Sequence, residues 1–357
     1  MLNASVPIDP ILENASANAP EYVRIVSITL THLNDRALFQ PIARKITPIK
    51  PTDYPLFRKI VLIDLIDSYR TIAHASPTLS PHPQATTSPL PLTIAGSDSG
   101  GGAGIQADLR TFAMHCVHGT SAITCVTAQN TLGVTHVEAM PPSTVAQQID
   151  AVVSDIGVDA VKLGMLLNAE IMQVVIDRIA AHGITALVVD PVMVSRTGAV
   201  LIDDAAIATL RDRVIPHAAI VTPNRYEAEI LSGLEINDLD TMQRAAQVIH
   251  TLGAQAVLVK GGAMADLACG VDVWFDGDRL KILRTETIDT THTHGTGCTL
   301  AAAIAALIAR DGGDGLDLVR RAKIFVTEAL RHSLAIGSGQ GPVGHFYPLL
   351  PPSNLRP

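Results

Sequence analysis

The chain has 357 residues, of which 47% are apolar and 17% charged, with 26 Lys+Arg against 34 Asp+Glu for a formal net charge of −8. An acidic balance offers no basic face, so neither nucleic acid nor an anionic membrane is expected as a partner. Cysteines 116, 125, 269 and 298 are too scattered for a disulfide framework and form no CxxC pair, and the longest apolar run, 300–309, is too short to span a bilayer.

Composition changes near residue 91. Residues 1–91 hold 12 of the 22 prolines and are almost neutral, with 8 Lys+Arg and 7 Asp+Glu, so the acidic excess lies in the remainder. The stretch 76–91 (SPTLSPHPQATTSPLP) reads as an extended linker. Residues 58–70 (RKIVLIDLIDSYR) suit a short amphipathic helix or a strand. Residues 1–20 carry neither basic residues nor an apolar stretch, unlike a signal or transit sequence, and a cytoplasmic location is expected. The expected organisation is a poorly ordered extension over 1–90 and one folded domain over 91–350.

From residue 91 short aliphatic runs alternate with Ala-rich amphipathic stretches. The strand LTIAG precedes a helix over 103–115, and SAITCVTA (121–128) precedes one over 143–156. DAVKLGM is followed by a helix over 169–182, ALVVDPV by one over 203–213, and AAIVTPN by one that begins at Arg225. A helix over 241–252 leads into AVLVKGG. GVDVWFDGDRLKILRT reads as a hairpin turning at Asp276-Gly277, and two long helices follow from Gly297. Repeated strand–helix units predict an α/β fold with a mostly parallel sheet and right-handed crossovers. Ligands of such sheets bind beyond the carboxyl ends of the strands.

Two glycine-rich loops fall at such places. AGSDSGGGAGIQADLRTF (95–112) sets five glycines before a helix, where backbone amides can meet an oxygen-rich or heteroaromatic group; a tight strand–helix turn is the alternative. Its spacing is not GxGxxG. THTHGTGCTLAAAIAALIAR (291–310) places Gly295, Thr296, Gly297 and Cys298 at the start of a helix, where amides and dipole suit a phosphoryl group in transfer and favour a thiolate. The competing reading makes Cys298 a small buried residue and Thr296 an N-cap. No Walker A loop occurs in the chain.

Together LTIAGSDSGGGAGIQADLRTF, VKLGM, VVDPVM, TPNRYEAEIL, VLVKGG and THGTGCTLAAA, with the closing GPVGHFYPL, resemble the hydroxymethylpyrimidine/phosphomethylpyrimidine kinases of thiamine biosynthesis, in the ribokinase superfamily. The resemblance covers about 92–347 and does not touch 1–90. It implies a ribokinase-like three-layer α/β/α fold with a mostly parallel central sheet. It also implies ATP and Mg²⁺ as co-substrate and cofactor, an aminopyrimidine alcohol as substrate, and a homodimer. The 295–297 turn would be the anion hole, and Cys298, where many sugar kinases carry Asp, would take the hydroxymethyl proton, with Lys162 beside it.

Gly96, Asp108 and Gln129 would hold the pyrimidine between the apolar walls Met165 and Val192. Gln129 also suits loop capping, and Met165 and Val192 suit plain core. Lys260, Thr222 and Asn224 would face ATP. Glu227 and Asp190 would hold Mg²⁺, largely through water. Asn224 and Glu227 equally fit a capping box, and Asp190 a structural strand-end role. Lys162 and Lys260 each follow an apolar strand, so an anionic ligand is expected at both. The sequence departs from the family pattern at Ser99-Gly100, where the family carries Pro-Ser, and in its two histidines. A zinc site on His292 and His294 lacks further ligands, so solvent or phosphate contact is expected of them. Two other functions stay open: a pyridoxal or pyridoxine kinase, and a non-catalytic pyrimidine-binding regulator.

Overall fold

The computed structural model describes residues 88–193, 202–262 and 270–351. The expectations for 1–90 therefore lie, save for the last three residues, outside the described residues, as does Cys269.

The order is β1 (Pro91–Asp98), α1 (Gly104–Met114), β2 (Thr120–Asn130), β3 (Gly133–Ala139), α2 (Pro142–Asp155), β4 (Ala160–Leu163), α3 (Ala169–Ala181), β5 (Leu187–Val189), α4 (Asp204–Thr209), β6 (Ile220–Val221), α5 (Arg225–Ser232), α6 (Leu239–His250), β7 (Val257–Lys260), β8 (Val271–Phe275), β9 (Leu280–Arg284), α7 (Thr296–Asp311) and α8 (Gly315–Arg331). Among the described residues the strands form one sheet in the order β3-β2-β1-β4-β5-β6-β7-β8-β9. From β2 to β7 all neighbours are parallel; β3, β8 and β9 add antiparallel at the two ends.

Strand residues alternate between two cores. Val257 and Val259 of β7 join the side built with Val145, Ile149, Ile171 and Ile249 from α2, α3 and α6. Leu258, between them, joins the side built with Phe112, Ile304 and Val319 from α1, α7 and α8. Helices thus cover both faces, which gives the three-layer α/β/α architecture of the ribokinase-like fold. The apolar run over 300–309 belongs to α7, where residues 300–307 are all buried. Alanine there lets the helix lie close to β1, β4 and β5. No helix among the described residues is long and apolar enough to cross a membrane.

Two elements differ from expectation. β3 pairs with β2 although every one of its residues is exposed, so it carries no in–out alternation to mark it. The helix expected over 203–213 is regular only to Thr209 and continues as a π turn over Leu210–Val214.

Chain order leaves β1 toward β2 on one side and later returns to β4 on the other. The strand order thus reverses beside β1, and in open α/β sheets ligands bind beyond the carboxyl ends of the strands at such a point, here β1 and β4.

Candidate active site

The turn that enters α7 lies at these strand ends, with Gly295 against Gly102 and Gly297 beside Lys260 and Asp190. Gly295 has φ +82°, and a Cβ there would lie 1.8 Å from the Gly102 carbonyl oxygen, so only glycine lets this turn lie against the first glycine loop. No side chain caps α7. Thr296 is not the N-cap: its hydroxyl donates to the Thr293 carbonyl at 2.6 Å. The Gly295 carbonyl accepts from the Thr299 amide at 2.9 Å and from its hydroxyl at 2.8 Å. Buried His345, whose pKa is pushed down to about 4 by burial and then by the charge of Arg110, sits 2.9 Å from that hydroxyl. The closing GPVGHFYPL segment also pins His294: its amide donates to Gly341 and its carbonyl accepts from Val343, both at 3.2 Å.

Cys298 follows in the first turn of α7. Burial pushes its thiol up to about 11, against the pull of Lys162. The expected dipole-favoured thiolate is corrected by this desolvation, and the resting group is a thiol. The backbone of Gly104, at the start of α1, also acts to lower the thiol's pKa, more weakly than Lys162.

Beneath Cys298 lies an ion pair. Lys162 of β4 donates to Asp108 of α1 at 2.8 Å, and neither side chain has any exposure. Thr93, the β1 neighbour of Lys162, donates to the same Asp108 oxygen at 2.6 Å. Burial raises the Asp108 pKa against the opposing charge of Lys162. Burial favours neutral Lys162, yet Asp108 and then Cys298 and Asp190 outweigh it and hold the ammonium above its usual range. The expectation of an anionic ligand at Lys162 is thus corrected: its anion is a side chain of this chain. Asp108 Oδ1 is buried with no hydrogen-bond partner among the described residues.

A second buried group lies beyond β5, β6 and β7. Lys260 donates to Asp190 Oδ1 at 2.8 Å, so this lysine too has a carboxylate partner in the chain. A Cβ on Gly297 would lie 3.2 Å from Lys260 Nζ and 3.7 Å from Asp190 Oδ2, which places the pair beside the uncapped helix start. The buried Thr222 hydroxyl lies 3.4 Å from Asp190 Oδ1. Asn224 and Glu227 make the reciprocal capping box of α5: the Glu227 amide donates to Asn224 Oδ1 at 3.0 Å, and the Asn224 amide to Glu227 Oε2 at 2.7 Å. Glu227 is 2% exposed. Burial and then the neighbouring charge of Asp190 push its carboxyl up to about 7, although Lys260 pulls it down.

The first glycine loop is spent differently from its expected use. Asp98, at the end of β1, accepts from the amides of Gly100 (2.8 Å), Gly102 (3.0 Å) and Ala103 (2.8 Å), so these donors serve a carboxylate rather than a ligand. His294 Nε2 lies 3.0 Å from the same Asp98. Burial opposes the Asp98 charge, but His294 and the Ala103 and Gly100 amides together hold its carboxyl below the usual range. Of the histidines expected to meet solvent or phosphate, His294 meets Asp98 instead, while His292 is half-buried and its Nδ1 accepts from the Gly341 amide at 3.0 Å.

Gln129 is half-buried, with one amide end 3.3 Å from His294 Nε2 and the other 3.2 Å from the Thr127 hydroxyl. Gly96 has Cys125 and Met165 against it; a Cβ would meet Cys125 Sγ at 2.7 Å and Met165 Cε at 3.0 Å. Half-buried Val192 donates its amide to the Asp190 carbonyl at 2.8 Å. Asp98, Thr93 and Cys125 went unnoticed in the sequence. Only Asp98 had a signal there, an acid two residues ahead of a glycine run.

The fold and this clustering of an uncapped glycine turn, buried lysines and carboxylates at the strand ends place the chain among the kinases of ribokinase-like architecture. The chain is similar to a pyridoxal kinase of Bacillus subtilis solved as an ADP complex (38% identity, TM-score 0.69, 74% of this chain and 100% of that one). It is also similar to a phosphomethylpyrimidine kinase of Clostridium difficile 630 (41% identity, TM-score 0.61, 68% and 99%). A hydroxymethylpyrimidine/phosphomethylpyrimidine kinase of Synechococcus elongatus is 65% identical over 261 residues, 73% of this chain and 98% of the relative. The family model for phosphomethylpyrimidine kinase matches residues 98–344, and the chain belongs to that family.

Proposed function

We propose that the chain transfers the γ-phosphoryl group of ATP to the hydroxymethyl oxygen of 4-amino-5-hydroxymethyl-2-methylpyrimidine, and a second one to the resulting monophosphate, in thiamine biosynthesis. The observation that carries this reading is the uncapped turn Gly295–Thr296–Gly297 set beside Lys260 and Cys298 at the carboxyl ends of the strands. The substrate oxygen attacks the γ-phosphorus, the bond to ADP breaks, and charge gathers on the equatorial oxygens. The Thr296 amide already donates to the Thr293 carbonyl at 3.3 Å, so the Gly295 and Gly297 amides are the donors proposed to meet this charge, and positioning supplies most of the acceleration. Cys298 in its thiolate form takes the hydroxyl proton.

Asp108 has no exposed side-chain surface, so it supports the ring site from beneath, by holding Lys162, rather than by touching the ring. Gly96, Gln129, Met165 and Val192 complete the ring site. Lys260 lies where the triphosphate would pass, while Thr222 and Asn224 act by holding Asp190 and Glu227. Those two carboxylates fit Mg²⁺, which takes one or two carboxylates and keeps several waters. Burial first, and Asp190 after it, raise the Glu227 pKa, and a bound cation would offset that cost of its ionised form. Asp190 and Glu227 would hold the ion, whose contribution is to neutralise phosphate charge.

A homodimer is part of the proposal; Val134 (47% exposed), Val137 (39%) and Leu132 (73%) on the β2–β3 hairpin offer it an apolar face. So is a cytoplasmic location, where Cys298 stays reduced. The reading is tested by comparing kcat/KM for the aminopyrimidine alcohol and pyridoxal. The alcohol is expected to be preferred, and a more than tenfold preference for pyridoxal overturns the substrate.

A further inference from the structure

We propose that His294 is a positioning residue that fixes which end of the Gln129 carboxamide meets the substrate, so that Gln129 offers the ring an N–H donor. The inference rests on the proposed role of Gln129 at the pyrimidine. It begins at Asp98, which is 3% exposed. Its Oδ1 accepts from the Gly100 amide, and its Oδ2 from the Gly102 and Ala103 amides. With both oxygens already accepting backbone hydrogens, the group is a carboxylate and has only acceptor capacity. His294 Nε2, 3.0 Å from Oδ2, must therefore carry a hydrogen and donate it.

That assignment reaches Gln129. One end of its amide lies 3.3 Å from the same Nε2, and a nitrogen that donates cannot also accept. The two ends of a carboxamide have the same shape, so the hydrogen-bond network decides between them. The end facing His294 is the carbonyl oxygen, which shares the Nε2 hydrogen with Asp98. The amide nitrogen then faces Thr127 Oγ1 at 3.2 Å. Thr127 is free to accept there, because its own hydrogen goes to the Ser97 carbonyl at 3.0 Å. Every group in the chain Asp98–His294–Gln129–Thr127–Ser97 is then satisfied in one sense only. One hydrogen of the Gln129 amide remains for a ligand, so the ligand atom there must be an acceptor, such as an unprotonated ring nitrogen.

The ring of His294 also packs on the first glycine loop. A Cβ on Gly102 would lie 2.2 Å from its Cδ2. The residue that polarises Gln129 is thus immediately followed by Gly295 of the anion turn.

Two measurements test this. Long-range ¹⁵N–¹H NMR of the full wild-type chain is expected to show a protonated Nε2 on His294; an unprotonated Nε2 overturns the inference without reference to activity. Calorimetric titration with the aminopyrimidine alcohol and separately with ADP then compares wild type, Q129A, H294F and the double variant. H294F is expected to weaken the alcohol by about tenfold while ADP stays within about twofold. In the Q129A background the same change is expected to add less than about threefold, because the two side chains act as one unit. A shifted Kd in Q129A with none in H294F, or effects that multiply fully, overturns the inference alone. An unchanged Kd in Q129A overturns the substrate role of Gln129 and this inference with it.

Discussion

Replacing Lys162 with Met removes the partner of Asp108 while nearly preserving the volume of the side chain. Both groups have no exposed side-chain surface and meet at 2.8 Å, so the variant leaves a carboxylate with only the Thr93 hydroxyl at 2.6 Å. Breaking a buried pair from one side costs about 3–5 kcal/mol. At roughly 2–4 °C per kcal/mol for a domain of this size, Tm is expected to fall by roughly 6–20 °C. Asp108 can escape part of this cost by taking a proton. Its folded pKa already lies above its ordinary value because of burial, and loss of Lys162 raises it further. A raised carboxyl contributes stability at low pH that is lost as pH rises through the folded pKa, so the gap to wild type should narrow between pH 8 and pH 5. Scanning calorimetry across that range, with Asp108→Asn/Lys162→Met alongside, measures it. A loss below about 1 kcal/mol, or a double variant no more stable than Lys162→Met, would refute the reasoning.

Three more outcomes are expected. Gly295→Ala should lower kcat by about 10²–10³, because a Cβ 1.8 Å from the Gly102 carbonyl forces the amide turn apart; steady-state kinetics with kcat within threefold of wild type would contradict this. With its pKa near 11 in the free chain, Cys298 is thiolate in roughly one molecule in 10⁴ at pH 7, so log kcat/KM should climb with a slope near one from pH 7 to 9. Cys298→Ala should abolish the slope and lower turnover with pyrimidine affinity within a few-fold; unchanged turnover removes Cys298 as the base. Glu227, pushed up to about 7, keeps its proton below that pH and loses the associated stability as pH rises from 4.5 through 7. The Mg²⁺ concentration for half-maximal rate should therefore fall between pH 6 and 8 in wild type and become flat in Glu227→Gln; a flat wild-type profile would exclude Glu227 from holding the ion.

Most of the sheet was legible because its strands are short aliphatic runs followed by amphipathic helices, each with the period of its own geometry. β3 escaped because solvent on both faces erases the alternation that burial imposes. At the site, the residues with chemistry at the strand ends were found, but their partners were not. Lys162 and Asp108 are 54 residues apart and His294 and Asp98 are 196 apart, so no local spacing links them. The same limit explains why the first glycine loop looked open: its amides are occupied by Asp98, and only the folded turn brings that carboxylate under them. Cys298 was misjudged because the dipole of α7 is visible in sequence, whereas the depth of the thiol is not.

The most direct measurement is the ADP released per molecule of aminopyrimidine alcohol consumed, with ATP in excess. A turn built to neutralise a migrating phosphoryl group, used first on the alcohol and then on its monophosphate, gives two ADP per pyrimidine from the alcohol and one from the monophosphate. Release of no ADP with either compound, by a folded chain that binds the pyrimidine, would contradict the account.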